Sequence, residues 1–285
     1  DRLMLERLGL DPAEPANQGL GFNHTVQSLR VVEKLEKRWR AFDGLNLTWE
    51  TREGIIKHDT EYDAVPREWA RDYLPGLRPS LEAQIVNLAD ELTYNAHDLD
   101  DGLRSGLIPM ASPALARLEI WRAVTAGVDD DDPELRRHRI IRALIDRIIS
   151  DLVDTSAGRI AAADPRSPDD VRRAASLIAL SSDTNAMLRE LKDFLFVNLY
   201  RHRRVVRMFR KAERVMIGLF ETFETDYRQL PDGTRARILE IQPDIAPGRP
   251  LTAGAHRTIC DYLAGMTDRY ALEEHRHLFD PYERA

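Results

Sequence analysis

The spacing of apolar residues is the feature that most constrains the fold of this sequence. Along most of the 285 residues, apolar side chains recur three and four positions apart, which is the period of one face of an α-helix. No stretch shows the sustained alternation of apolar and polar residues, with turn pairs, that half-buried β-strands require. The sequence therefore predicts an all-α fold, in which each helix buries one side against its neighbours.

The same periodicity gives the approximate extent of the helices. They are predicted over residues 1–9, 23–39, 49–58, 80–107, 112–126, 133–155, 167–182, 185–201, 203–227 and 251–278. Ser80 has the position and residue type of an N-cap before a long apolar-periodic run. Prolines and glycines concentrate in segments 10–20, 60–79 and 229–250, so these are predicted as linkers, and the last two are long enough to be functional loops.

Composition narrows the class of protein. With 43% hydrophobic residues, the chain can bury a sizeable core in one large domain, or in two that share an interface. The net charge of −7 creates an overall field that repels nucleic acid and anionic membranes, so phosphate binding requires local Lys and Arg side chains. A single cysteine, Cys260, excludes an internal disulfide framework and a cysteine-built zinc site.

Two local patterns bear on the expected location of the protein. No apolar run approaches the roughly 18 residues of a membrane span. The first residues have neither the basic start nor the apolar stretch of a signal peptide. We therefore expect a cytoplasmic protein with no membrane partner, and no binding to nucleic acid is indicated.

One predicted helix carries the most specific pattern of chemically active residues. In PSLEAQIVNLADELTYNAHDLDDGLRSGLI, Asp90, Tyr94 and Asp98 stand at i, i+4 and i+8, so they share one face, and the carboxylates lie about 12 Å apart along the helix. A divalent cation binds carboxylate oxygens, whereas a sugar offers hydroxyls to a carboxylate acceptor and a face to an aromatic ring. The set could hold a metal at one end and a sugar at the other. The spacing leaves open an alternative, a solvated acidic face with Tyr94 covering the core.

Several stretches resemble one enzyme family. LADELTYNAHDLDDGLRSG is similar to the helix that carries the last metal-binding aspartate in deoxyguanosinetriphosphate triphosphohydrolases (dGTPases), which are HD-domain enzymes. Further similar stretches lie at 21–36, 44–58, 191–205 and 259–272, so the resemblance runs from end to end. It implies an all-α, HD-domain-like multi-helix bundle with a C-terminal helical extension. We expect residues 1–107 to be the C-terminal part of the catalytic domain and residues 108–285 to be the extension that packs on it.

The resemblance also implies roles for four residues. Asp90 would be a ligand of a divalent metal, with Mn²⁺ or Mg²⁺ the ions expected for such a site. Tyr94 would pack on the deoxyribose, and Asp98 would accept its 3′-hydroxyl. His24 would act in catalysis by orienting or protonating an oxygen. The alternative for His24 is a histidine at a helix N-terminus that bonds only to the backbone.

A triphosphate in an acidic protein needs several fixed cations. The similar stretches offer Lys57, Arg201 and His202 as candidate phosphate contacts, with Arg269 as a weaker one. The basic stretch 201–214 has a structural alternative as a solvated helix face that balances acidic neighbours.

One part of the family pattern has no counterpart in the sequence. The resemblance predicts a first histidine, an HD pair and a PF-x-H segment, all before the stretch at residue 21. The pair His58-Asp59 does not fit this position, because it ends a predicted helix and leads into a polar, proline-containing loop. Either the H…HD segment precedes Asp1 in the parent protein, as we expect, or the protein is a remodelled family member that cannot bind metal normally.

Three functions remain open on the sequence. The first is metal-dependent hydrolysis of deoxynucleoside triphosphates, with dGTP favoured, to deoxynucleoside and triphosphate by the parent protein, acting as a homo-oligomer. The second is a regulatory helical module that senses a nucleotide without cleaving it. The third is a helical interaction domain, which solvent-facing side chains at Asp90, Tyr94 and Asp98 would favour.

Overall fold

The fold is all-helical. A computed structural model of the chain describes residues 1–14, 20–58, 69–245 and 249–283. Within these ranges the chain forms twelve α-helices and no β-strand, which confirms the predicted all-α class. None of the helices in the described ranges is both long and apolar enough to cross a membrane.

The twelve helices vary in length from six to 31 residues. They are α1 (Arg2–Arg7), α2 (His24–Arg30), α3 (Trp49–Ile56), α4 (Leu81–Arg104), α5 (Glu119–Thr125), α6 (Pro133–Ala163), α7 (Pro168–Arg173), α8 (Ser182–Leu195), α9 (Arg203–Thr225), α10 (Asp232–Ile241), α11 (Ala253–Ala264) and α12 (Asp268–Phe279). Short π-helical turns follow α2 over Val31–Leu35 and α8 over Phe196–Tyr200.

The chain divides into two compact units. Among the described residues, unit 1 contains α1, α2 and the chain from Arg207 onwards, and unit 2 contains residues 47–58 and 70–206. The expected boundary between residues 107 and 108 therefore falls within unit 2. The division into a catalytic part and an extension stays a prediction.

Unit 2 is built around α4, α5, α6 and α8, which pack on one another. Each of the four contributes side chains that are almost entirely inaccessible to solvent: Leu99, Ile120, Ile140, Leu144 and Leu191. Burying a side chain of this size stabilises the fold by about 1.5–3 kcal/mol. The position of α4 is therefore set by its apolar side.

Unit 1 has a separate hydrophobic core. It is formed mainly by α9 and α11, to which α1, α10 and α12 add one buried side chain each. The most deeply buried members include Leu219 and Phe223 of α9, Ile238 of α10 and Ile259 of α11. Each unit thus buries its own apolar cluster.

Two predictions about the helices near the C-terminus were wrong. The helix predicted over 251–278 is two helices, because Thr267 is extended and its side chain accepts the backbone N–H of Tyr270 as the cap of α12. The segment predicted as a loop over 229–250 contains α10, which begins directly after Pro231. The apolar spacing did not reveal this helix, since α10 buries only Ile238.

The helix predicted over 167–182 is also much shorter. α7 ends at Arg173, because Ala174 turns to an extended backbone conformation. Leu177 and Ile178 are then buried without being helical. Conversely, α6 extends beyond the predicted end at residue 155 and stops where Asp164 adopts a left-handed conformation.

An ion-pair network ties three helices of unit 1 together. The Arg7 guanidinium donates to Glu224 over 2.9 Å, and His256 Nε2 lies 2.9 Å from the same carboxylate. Burial lowers the pKa of His256 although Glu224 opposes this, so the neutral ring donates its Nε2 hydrogen. Burial alone would raise the pKa of Glu224, but the hydrogen bond and charge of Arg7, together with His256, outweigh it and lower that pKa.

Replacing Glu224 with glutamine should destabilise unit 1. We expect the free energy of unfolding at pH 7 to fall by about 1–3 kcal/mol, because the buried His256 and the partly exposed Arg7 lose a charged acceptor. The contribution of Glu224 is complete above the ordinary carboxyl pKa of about 4.3 and is lost as the pH falls through its lowered folded-state pKa. Urea unfolding at pH 7 and in steps below pH 4 measures both effects. The exposed Glu240→Gln is the matched control, and a pH-independent deficit in E224Q would contradict the assignment.

Candidate functional site

The helix that carries the predicted site is well defined at its start. The Ser80 side chain accepts the Ala83 N–H over 3.3 Å and so caps α4, as the sequence predicted. Leu92, Ala96 and Leu99 form the buried side of α4. At 100° per residue this buried side is opposite the line through Asp90, Tyr94 and Asp98, which we call the α4 row.

The Asp90 end of the α4 row meets a histidine. His58 follows α3, which packs on α4, and its Nε2 lies 3.5 Å from Asp90 Oδ2. The Asp90 side chain is 44% exposed and that of His58 is 22% exposed, so both remain accessible. Asp59 lies outside the described residues. The sequence order already placed His58 before Asp90, but only packing brings the two side chains together.

The Asp98 end meets a tyrosine that sequence reasoning had not selected. The Tyr200 hydroxyl donates to the Asp98 carboxylate, although 102 positions separate the two residues. Tyr200 ends the π-helical turn after α8, and α8 packs on α4. A π-helical turn of this kind often marks a functional position. Its place directly before the predicted pair Arg201-His202 was the signal available in the sequence.

Arg201 and His202 follow Tyr200 at this end of the row. Arg201 is exposed, and its guanidinium lies 4.6 Å from the centroid of the Phe196 ring. His202 is half-buried, and its Nδ1 accepts the Arg204 N–H over 3.3 Å. Neither has an ion-pair partner in the described part of the chain, so both side chains are available to an anion. Their role as phosphate contacts stays a prediction.

Lys57 is held inside unit 2 by an ionic cluster. Its ammonium donates to Glu53 over 2.7 Å and to the carbonyl oxygen of Leu77 over 2.9 Å. Arg172 donates to the other Glu53 oxygen over 3.1 Å, and the Glu53 side chain is fully buried. The positive charge of Lys57 is therefore paired with the Glu53 carboxylate. The predicted contact of Lys57 with phosphate stays untested.

His24 belongs to unit 1, whereas the other predicted site residues, apart from the weaker candidate Arg269, belong to unit 2. It is the first residue of α2, which Asn23 caps by accepting the Val26 N–H over 3.0 Å. The His24 side chain is exposed. This position suits either of the roles that the sequence left open.

The exposure of Asp90 and Tyr94 is the outcome that the third function, a helical interaction domain, would favour, but a face that binds a sugar must also be open to solvent. The Tyr94 side is open to solvent, with 60% of the residue exposed, and Asp90 is also partly exposed. The distinguishing feature is what the carboxylates meet, since His58 and Tyr200 reach opposite ends of the α4 row from other elements.

Unit 1 contains a separate basic cavity of about 680 Å³ between α9 and α12. Its lining includes the cations Lys211, Arg214, Arg269 and Arg276. Arg269 was a weaker phosphate candidate, and it pairs with Glu273 over 3.0 Å. No other predicted site residue lines this cavity.

Replacing Glu53 with glutamine should destabilise unit 2 strongly. The change leaves two nearly buried cations, Lys57 and Arg172, without their shared carboxylate. We expect the free energy of unfolding to fall by about 3–5 kcal/mol, the usual effect of removing one member of a buried ion pair. Urea unfolding followed by circular dichroism measures this, with the exposed Glu50→Gln in the same helix as control. Equal stability of the two variants would contradict the cluster.

Comparison with known proteins gives a consistent result. A family model described as a phosphohydrolase-associated domain matches residues 178–277. A deoxyguanosinetriphosphate triphosphohydrolase-like protein of Geobacter sulfurreducens is 45% identical over 269 residues, covering 93% of this chain and 66% of that protein. Its counterpart in Bordetella pertussis is 47% identical over 272 residues, covering 94% of this chain and 67% of that protein.

A third relative, from Ralstonia pickettii, carries the same description. It is 46% identical over 264 residues, covering 91% of this chain and 64% of that protein. The chain thus spans about two thirds of the length of the curated relatives it matches.

Proposed function

The chain belongs to the family of deoxyguanosinetriphosphate triphosphohydrolase-like proteins, and from this premise we propose that the whole protein hydrolyses deoxynucleoside triphosphates to deoxynucleoside and triphosphate. dGTP is the favoured substrate. One observation carries the proposal: the α4 row has a histidine beside its first carboxylate and a tyrosine bonded to its last. The row is about 12 Å long, which is comparable with a nucleoside monophosphate laid lengthwise.

The Asp90 end fits a divalent cation such as Mn²⁺ or Mg²⁺. The carboxylate oxygen of Asp90 and the imidazole nitrogen of His58, which lie 3.5 Å apart, are donor types that such a cation accepts. Asp90 would hold the ion, and His58 fits as a second donor. A cation bound there would neutralise charge on the α-phosphate and make water a better nucleophile.

The Asp98 end suits a deoxyribose. Asp98 accepts one hydrogen bond from Tyr200, and an ionised carboxylate has further lone pairs for a 3′-hydroxyl. The exposed Tyr94 ring, one turn away, would cover the sugar face and crowd a 2′-hydroxyl, which favours deoxynucleotides. These side chains would hold the substrate in one orientation along α4, so that the α-phosphate lies near Asp90.

The triphosphate would be held by cations near the row. Arg201 and His202 follow Tyr200 directly and have no ion-pair partner in the ranges that the structure describes. Lys57 already donates to Glu53, so it would contact the triphosphate only if its ammonium bonded to both groups. The departing 5′-oxygen requires a proton, and His24 is proposed to supply or orient it on the basis of the family resemblance alone.

A nucleotide-sensing module is the alternative function. It is favoured by one observation, since the described residues contain no group of three or more His, Cys, Asp or Glu side chains that could hold a metal ion. Such a module would bind the sugar at Asp98 without cleaving the phosphate.

The proposed reaction can be tested directly. Full-length protein with Mn²⁺ should release inorganic triphosphate from deoxynucleoside triphosphates, fastest from dGTP. Asp90→Ala should lower kcat by about 1,000-fold or more, because several kcal/mol of charge stabilisation is lost. Asp193→Ala, which removes an exposed carboxylate from α8, is the control. Release of pyrophosphate would contradict the mechanism, and nucleotide binding without any cleavage would favour the sensing module.

The sugar contact has its own test. Wild-type protein should use 2′,3′-dideoxyguanosine triphosphate about 10- to 150-fold less efficiently than dGTP, the usual effect of losing a hydrogen bond to a charged group. Asp98→Asn should lower kcat/KM for dGTP and largely abolish this preference. The measurement compares kcat/KM for both substrates in both proteins. A full preference retained in D98N would show that the carboxylate does not contact the 3′-hydroxyl.

A further inference from the structure

The outward side of α6 carries apolar residues that unit 2 leaves exposed. The inward side, with Ile140, Leu144 and Ile148, contributes to the hydrophobic core. On the opposite side Leu135, Ile149 and Val153 are 54%, 52% and 58% exposed. The outer face of a surface helix is normally polar, so these three exposed apolar side chains set this side of α6 apart.

These residues belong to a regular stripe along the helix. At 100° per residue, six outward positions between Leu135 and Val153 fall within about 40° of one line. We call them the α6 stripe: Leu135, Arg139, Arg142, Asp146, Ile149 and Val153. Their separations alternate between four and three residues, which is the spacing of the contact positions in a helix-pairing heptad.

The α6 stripe of one copy is complementary to the α6 stripe of a second copy that runs in the opposite direction. Its spacing reads the same in both directions, with its centre at residue 144. If two copies of α6 pack antiparallel, Leu135 of each copy therefore lies opposite Val153 of the other. Apolar side chains would then meet at both ends of the pair.

The charges at the centre of the stripe follow the same symmetry. Arg142 of each copy would face Asp146 of the other, which gives two opposite-charge pairs. Neither side chain has an ion-pair partner among the residues that the structure describes, so both charges are available. A parallel pairing would instead place each charge against its own kind, which is costly.

In the antiparallel pair, Arg139 of each copy would lie opposite Ile149 of the other. Its guanidinium is directed to Asp130 over 3.2 Å. This leaves the apolar stem of Arg139 to cover Ile149 of the second copy, as long cationic side chains commonly do.

We propose that the α6 stripe is a two-fold interface with a second copy of this chain. The spacing and the apolar ends allow two copies to pair, and the order of the charges selects the antiparallel arrangement. The interface is isologous, so each copy contributes the same residues. It does not depend on the proposed catalytic activity.

Charge reversal with restoration tests the interface in the full-length protein. Sedimentation equilibrium over a range of concentrations would compare wild type with Arg142→Asp, Asp146→Arg and the variant that combines both. Each single change turns two attractive pairs into two repulsive ones, so we expect the dissociation constant of this step to rise by about 10-fold or more. The combined variant restores both pairs and should return to near the wild-type value.

The matched control changes charges elsewhere on the same helix. Arg136 and Asp154 are exposed and lie about 100° from the stripe, so Arg136→Asp combined with Asp154→Arg should leave association unchanged. A wild-type protein that stays monomeric at all concentrations would overturn the proposal. Single reversals without effect, or a combined variant as weak as the single ones, would overturn it equally.

Cross-linking gives a second readout that does not depend on binding strength. Combining Leu135→Cys with Val153→Cys places the introduced thiols opposite one another across the two-fold axis. Mild oxidation should then yield a covalent dimer on a non-reducing gel. Leu135→Cys alone should yield none, because the two copies of this position are about 27 Å apart. The native Cys260 is buried and does not compete. Equal dimer yields from both variants would contradict the register.

Discussion

The packing of α4 against α6 and α8 determines where every other part of the candidate site in unit 2 can be. Leu92, Ala96 and Leu99 are buried on one side of α4, and this fixes the rotation of the helix about its axis. A different rotation would expose these side chains at a cost of about 1.5–3 kcal/mol for each leucine. Because Asp90 and Asp98 are on the opposite side of the same helix, the hydrophobic contact also determines which way both carboxylates face.

The predictable part of the fold is the part that local spacing determines. α4 was predicted almost to its ends, because a capping serine and a continuous apolar face both act within one helix. α12 was joined to α11 in error, since the apolar period continues through the break and only the backbone conformation of Thr267 interrupts it. α10 was missed for the opposite reason, as a helix that buries little has a weak periodic pattern.

The candidate site shows the same division between local and tertiary information. The α4 row follows from spacings of four residues on one helix, so it could be found without a structure. His58 and Tyr200 could not be placed, because their contacts with Asp90 and Asp98 depend on how α3 and α8 pack against α4. The bond from Lys57 to Glu53 joins residues four positions apart and could be anticipated, but the second bond to Glu53 could not, since Arg172 comes from a distant segment of the chain.

The ionic cluster of Lys57, Glu53 and Arg172 affects the entropy that ligand binding would cost. Lys57 is anchored at both Glu53 and the Leu77 carbonyl, so the backbone that leads into His58 is immobilised when the protein folds. The backbone of His58, beside Asp90, would therefore lose little conformational freedom on binding a ligand. Preorganisation of this kind strengthens binding without adding a contact. A fully buried carboxylate that touches no ligand would thus set part of the affinity at the Asp90 end of the α4 row.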